Sequence, residues 1–96
     1  MLSVHPSAER DVLEAAAFYE REGSPALAAR YVKEFGRVCE LLLERPEIGS
    51  ARGKDKRGFS MNVFPYTVIY RVRADEIRVL VVKHDKRRPS FGSRRM

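Results

Sequence analysis

The chain has 96 residues and a net charge of +6, with 44% hydrophobic and 33% charged residues, which bounds it to one soluble domain around one core. A domain of this size buries roughly 60–70% of the surface that its unfolded chain exposes. The longest apolar runs, such as Val79 to Val82, are far short of the ~20 residues of a membrane span, no basic-then-apolar leader opens the chain, and Cys39 as the lone cysteine rules out an internal disulfide and suits a reducing cytoplasm.

Residues 2–5, LSVH, make a short strand. Pro6 then suits the first turn of a helix, and Glu9 and Asp11 favour its positive end. Val12, Leu13, Ala16 and Tyr19 keep helical spacing until Gly23 stops the run. Ser24-Pro25 restarts a helix, with a capping hydroxyl followed by proline at the first helical position. Ala28, Tyr31, Val32, Phe35, Val38, Cys39 and Leu42 then form one apolar stripe, and Pro46 ends it. The short gap between the helices predicts an antiparallel helical hairpin.

Residues 46–58, PEIGSARGKDKRG, read as an exposed loop. Three alternating strands follow: Phe59, Met61 and Val63; then Tyr66, Val68, Tyr70 and Val72; then Ile77, Val79 and Val81. Two-residue turns at Phe64-Pro65 and Ala74-Asp75 place Phe59 opposite Tyr70, Met61 opposite Val68 and Val63 opposite Tyr66. On the other side they place Val72 opposite Ile77, Tyr70 opposite Val79 and Val68 opposite Val81. Every pair on this face is apolar, and a slip of one residue would mix the faces. The fold class is therefore α+β: two layers, with an N-terminal strand and an antiparallel helical hairpin packed on one face of an antiparallel β-sheet.

The opposite sheet face then carries Ser60, Asn62, Thr67, Ile69, Arg71, Arg73, Arg78, Leu80, Val82 and His84. Arg71 lies directly across from Arg78, a like-charge pair that costs about 0.2–1 kcal/mol. The charge of the chain is also lopsided. Residues 1–48 hold 6 Lys or Arg against 9 Asp or Glu, a balance of −3, and residues 49–96 hold 13 against 4, a balance of +9. Clustered charge of one sign steers counter-charged partners. Arg71, Arg78, Lys83, His84, Lys86, Arg87, Arg88 and Phe91 are thus the candidate partner-binding residues. Phe91 either docks back on the sheet or anchors the partner.

His84 is the one side chain there that trades protons near neutral pH, a candidate general base or acid for RNA cleavage. The bland alternative is a strand-end histidine bonded to the backbone, and His5 is structural by the same argument. No metal site is expected, because H-x₃-H and C-x₂-C spacings are missing. Glycine-rich phosphate loops and a G-x-S-x-G elbow are missing too, so no cofactor is expected.

The helical hairpin, the strand FPYTVIYRV at 64–72 and the segment IRVLVVKHDKRRP at 77–89 occur in one order and spacing. Together they resemble the RelE/ParE toxin superfamily, above all its ParE-type, or plasmid stabilisation, branch. The resemblance implies a cytoplasmic toxin of a bacterial type II toxin–antitoxin system, held inactive by a ParD-like antitoxin with an acidic C-terminal segment. Operator DNA would be met only through that antitoxin. RelE-like members cleave mRNA on the ribosome, whereas ParE-like members inhibit DNA gyrase by binding. Phe91 stands where many relatives carry another aromatic, and it has no hydroxyl to move a proton. The resemblance therefore implies a gyrase-inhibiting toxin and no enzyme. The alternatives are a ribosome-dependent mRNA endonuclease, with His84 as base and Arg71 and Arg88 stabilising charge, or a non-toxic homologue that keeps antitoxin binding. Arg94 and Arg95 have no place in the family's usual ending, and the basic tail 90–96 is expected to be partly flexible.

Overall fold

A computed structural model describes all residues, 1–96. It contains, in order, β1 (Leu2–Val4), α1 (Pro6–Glu22), α2 (Pro25–Glu44), β2 (Ser50–Ala51), β3 (Lys56–Ser60), β4 (Tyr66–Arg73) and β5 (Glu76–His84). The five strands form one sheet in the order β1-β5-β4-β3-β2. β1 runs parallel to β5, and all other pairs are antiparallel. No helix is long and apolar enough to cross a membrane.

Local chemistry explains the helical hairpin. His5 caps α1 through its ring, which accepts the Ser7 N–H at 3.0 Å, and Pro6 follows at the first helical position. At the far end the Gly23 N–H returns to the Tyr19 carbonyl. A Cβ at Gly23 would lie 2.8 Å from that carbonyl oxygen, so the tight turn has no room for a side chain. Ser24 Oγ accepts the Leu27 N–H at 3.1 Å and starts α2. Ala8, Val12 and Ala15 of α1 and Tyr31, Val38 and Leu42 of α2 are buried against the sheet. They meet Val68, Tyr70, Ile77, Val79 and Val82 in one core. Leu13 and Val32, expected inside, are largely exposed on the outer side of the hairpin.

The sheet departs from the expected register in two places. β3 begins at Lys56, inside the expected loop, and ends at Ser60, so Phe59 faces Val68 and Arg57 faces Tyr70. The alternation of Phe59, Met61 and Val63 does not continue as a strand. Met61 and Phe64 both turn into the core, and the chain between them must fold back on itself to deliver two side chains to one side. The Phe64 N–H reaches the Asn62 carbonyl at 2.7 Å, while Val63 sits at φ 70° and is 84% exposed. The slip is by two residues, so Phe59 keeps its face.

The second departure is a β-bulge. Tyr70 pairs with Val79 as expected, but Ile69 pairs with Val81, leaving Leu80 as an extra residue. Val68 therefore faces Val82 and not Val81. Val82 joins the helix-side core, and Val81 turns to the open face beside Ile69 and Leu80. His84, opposite Tyr66, moves to the helix side with it.

Two side chains, Tyr70 and Glu34, fix the periphery. The Tyr70 hydroxyl donates to the Pro46 carbonyl at 2.7 Å and accepts the Gly49 N–H at 2.9 Å, tying the loop after α2 to β4. Glu34 of α2 grips the 61–65 turn, accepting the Asn62 N–H at 2.6 Å while it pairs with Arg37 at 2.8 Å. The Arg37 bond, foremost, holds the Glu34 carboxyl below its usual value of 4.5. A depressed carboxylate stabilises the fold at neutral pH and loses that contribution as pH falls through its folded-state value. Glu34→Gln should cost about 1 kcal/mol in urea unfolding at pH 7. The gap between variant and parent should narrow as pH is lowered below 4.5; a gap that stays constant through acid titration would refute the ion-pair account.

Candidate partner-binding surface

The open face has an apolar centre of Ile69, Leu80 and Val81. A row of cations crosses it. Lys56 pairs with Arg71 in the β3–β4 register, and Arg71 pairs with Arg78 in the β4–β5 register. The Arg71–Arg78 pair is the one expected from the sequence. Lys56 was hidden by the error in β3 and turns the pair into a line of three.

The C-terminal segment lies over this face. Phe91 packs on Ile69, Leu80 and Val81, so it docks back on the sheet. Its ring is flanked by the guanidinium carbons of Arg87 at 4.5 Å and Arg95 at 5.1 Å. Gly92, at φ 72°, lies so close to the sheet that a Cβ there would come within 2.7 Å of Val81. Lys56 Nζ donates to the Ser93 carbonyl at 2.8 Å, and Arg78 Nε donates to the Met96 carbonyl at 3.1 Å. Arg95, which had no assigned place, reaches Asp11 of α1 with contacts of 2.6 and 3.3 Å and the Leu80 carbonyl at 3.1 Å. Asp11 also accepts the Val82 N–H at 3.0 Å. The Asp11–Arg95 pair thus terminates the free edge of β5 beyond β1, where no strand is present to take the Val82 N–H and the Leu80 carbonyl. The 84 residues between the pair leave no local signal in the sequence.

The other candidates are dispersed. Lys83 is buried, and its ammonium points to the Arg88 carbonyl at 3.4 Å, so it fastens the segment after β5 and is not a free surface charge. Thr67 helps by donating to Asp85 at 2.7 Å. Lys86, Arg87 and Arg88 are exposed on the turn that leads to Phe91.

His84 does not belong to the basic face. Its ring meets Tyr66 edge-on at 5.2 Å between centroids. It lines a cleft of about 210 Å³ between α1 and the end of β5, with Asp11, Glu14, Phe18 and Arg87 among the walls. Its Nδ1 accepts the Lys86 N–H at 3.0 Å. A backbone N–H can only donate, so the proton of neutral His84 sits on Nε2. The exposed nitrogen then has no lone pair to act as a base. The set His84, Arg71 and Arg88 is not assembled, because Arg71 and His84 project from opposite faces of the sheet. Burial raises the Tyr66 phenol above its usual value, which does not suit it to replace the missing base. No group of His, Cys, Asp and Glu side chains could hold a metal ion.

A two-helix hairpin on a five-stranded sheet with a cationic outer face defines a small α+β domain. The sequence matches the family described as the ParE toxin of the type II toxin–antitoxin system, parDE, over residues 2–89. The chain belongs to that family. Its fold is similar to a solved structure from P. aeruginosa titled as a chromosomal ParDE TA system, with TM-score 0.76 and 20% identity over 86% of this chain and 92% of that one. No curated protein matches the sequence. The chain is accordingly a ParE-like toxin, and a cognate antitoxin is the partner that such a system implies.

The cation row has a measurable cost. Arg71→Ala should raise stability by about 0.2–1 kcal/mol at low salt, and the gain should vanish near 1 M salt, where the Debye length is roughly 3 Å. A gain unaffected by salt would show that the three cations do not repel one another.

Proposed function

We propose that this toxin acts by binding and not by cleaving RNA, that DNA gyrase in the cytoplasm is its target, and that an acidic segment of its cognate antitoxin neutralises it. One observation carries the choice: the side chains that an endonuclease would need lie on two faces of the sheet, and the one imidazole has its Nδ1 committed to a backbone N–H. What the open face offers instead is aligned positive charge around an apolar centre. Such a surface supports recognition of an acidic partner. Arg71, Arg78, Lys86, Arg87 and Arg88 would steer it, and the apolar patch that Phe91 covers would lie at the centre of the contact. Operator DNA would be met through the antitoxin alone.

The test pairs an assay in vitro with one in cells. Purified toxin should inhibit gyrase supercoiling, and antitoxin added beforehand should prevent it. Induction in a bacterium should stop replication before translation, and His84→Ala should leave growth arrest unchanged. Arrest abolished by His84→Ala, with translation failing first, would favour the endonuclease. A soluble chain that binds antitoxin but arrests nothing would be a non-toxic homologue.

A further inference from the structure

We propose that residues 90–96 are an exchangeable strap. They occupy the docking patch of Ile69, Leu80 and Val81, and an acidic partner segment bearing an aromatic side chain takes their place once Arg95 leaves Asp11. The inference concerns the surface just assigned to partner contact. It rests on that reading for the competitor's biological identity, not for the strap.

The strap's own contacts describe what the patch accepts. One aromatic ring, Phe91, covers three apolar residues. Around it, cations receive oxygen atoms: Lys56 takes the Ser93 carbonyl and Arg78 the Met96 carbonyl. Both bonds are exposed, and the Ser93 acceptor is a neutral amide carbonyl. A carboxylate in its place would make a shorter, charge-assisted bond to Lys56. The strap is itself basic, with Arg94 and Arg95 laid on a face that already holds Lys56, Arg71 and Arg78. The repulsion between these cations and the two arginines of the strap favours an acidic occupant over the resident one.

One ion pair offsets the repulsion. Arg95 and Asp11, at 18% and 8% exposed, form the most buried ion pair of the chain taken together, and the contact is bidentate. Asp11 lies on α1, in the acidic half of the chain, and reaches the edge of the sheet. Neutralising Asp11 while keeping its oxygen, as in Asp11→Asn, preserves the acceptor for the Val82 N–H and weakens only the hold on Arg95. Arg95→Gln removes the same hold from the other side. Besides the bond from Arg95 to the Leu80 carbonyl, which goes with the same side chain, the strap's bonds are either exposed or local to residues 88–96, such as Phe91 N–H to the Arg88 carbonyl and Ser93 N–H to the Ser90 carbonyl. A segment so tied is poised to open as a unit.

The experiment places 4-fluorophenylalanine at position 91 alone and follows its fluorine resonance in the full-length protein. The parent should give a packed-ring signal, and both Asp11→Asn and Arg95→Gln should move it to the solvent position while the far-ultraviolet circular dichroism is unchanged. A random copolymer of glutamate and tyrosine should drive the parent signal to that same position, whereas polylysine should not. Asp11→Asn should bind the copolymer about fivefold more tightly than the parent, because less of it is held closed. A packed signal in both variants would overturn the latch. Copolymer that fails to bind, or binds without moving the signal, would overturn the exchange. Neither outcome bears on gyrase inhibition or growth arrest, so the strap and the toxin reading fail separately.

Discussion

The extra residue in β5 governs what each side of the sheet can do. Leu80 has no partner of its own in β4, and its insertion reverses the facing of everything after it. Val82 goes to the helices, where it completes the core, and His84 follows it toward Tyr66. Leu80 and Val81 remain together on the open side with Ile69, so the apolar floor under Phe91 holds Val81 in place of the Val82 that strict alternation would have put there. Without the bulge the imidazole would stand among the cations. The separation of His84 from Arg71 and the make-up of the open face's apolar floor thus have one geometric cause.

The helix side is built for rigidity, and it holds the open side in place. Tyr19, Tyr31, Phe64 and Tyr66 stack edge to face with centroids 5.0 to 6.3 Å apart, spanning both helices, the 61–65 turn and β4. Such contacts add directional preference to ordinary burial. Glu34 anchors the same turn from α2. The start of β4 is therefore pinned on one face, and Arg71 and Ile69 on the other are presented by a strand that does not slide.

Much of this was legible in the sequence, and the misses have physical reasons. The helices carried their own punctuation in Pro6, Gly23, Ser24 and Pro25. β4 alternates cleanly, so the Ala74-Asp75 hairpin and the Arg71–Arg78 pair followed from it. The bulge was invisible because Val79 to Val82 are all apolar. Either phase satisfies a run with no polar residue in it, so pattern could not place the extra residue. β3 failed for the opposite reason. Alternation persisted through Val63 by chance, while the core's demand for both Met61 and Phe64 bent the chain. With β3 misplaced, Lys56 was lost from the cation row. Asp11–Arg95 joins residues near the two ends of the chain, where only tertiary structure could bring them together.

The lopsided charge gives these features a common sense. A chain with +9 in its second half places a basic tail on a basic sheet face, an arrangement that electrostatics alone opposes. What holds it there is an aromatic ring on apolar residues, carbonyl oxygens over two cations and one carboxylate borrowed from the acidic half. The bond to Lys56 and the ring on the apolar floor are contacts that an acidic, aromatic segment could make in the tail's place, whereas the ion pair with Asp11 is one that only a cation can make. The tail thus satisfies the sheet enough to keep its apolar centre from water, and leaves most of the face's positive charge uncompensated. Positive charge left in that state is what would draw an anionic partner to the face.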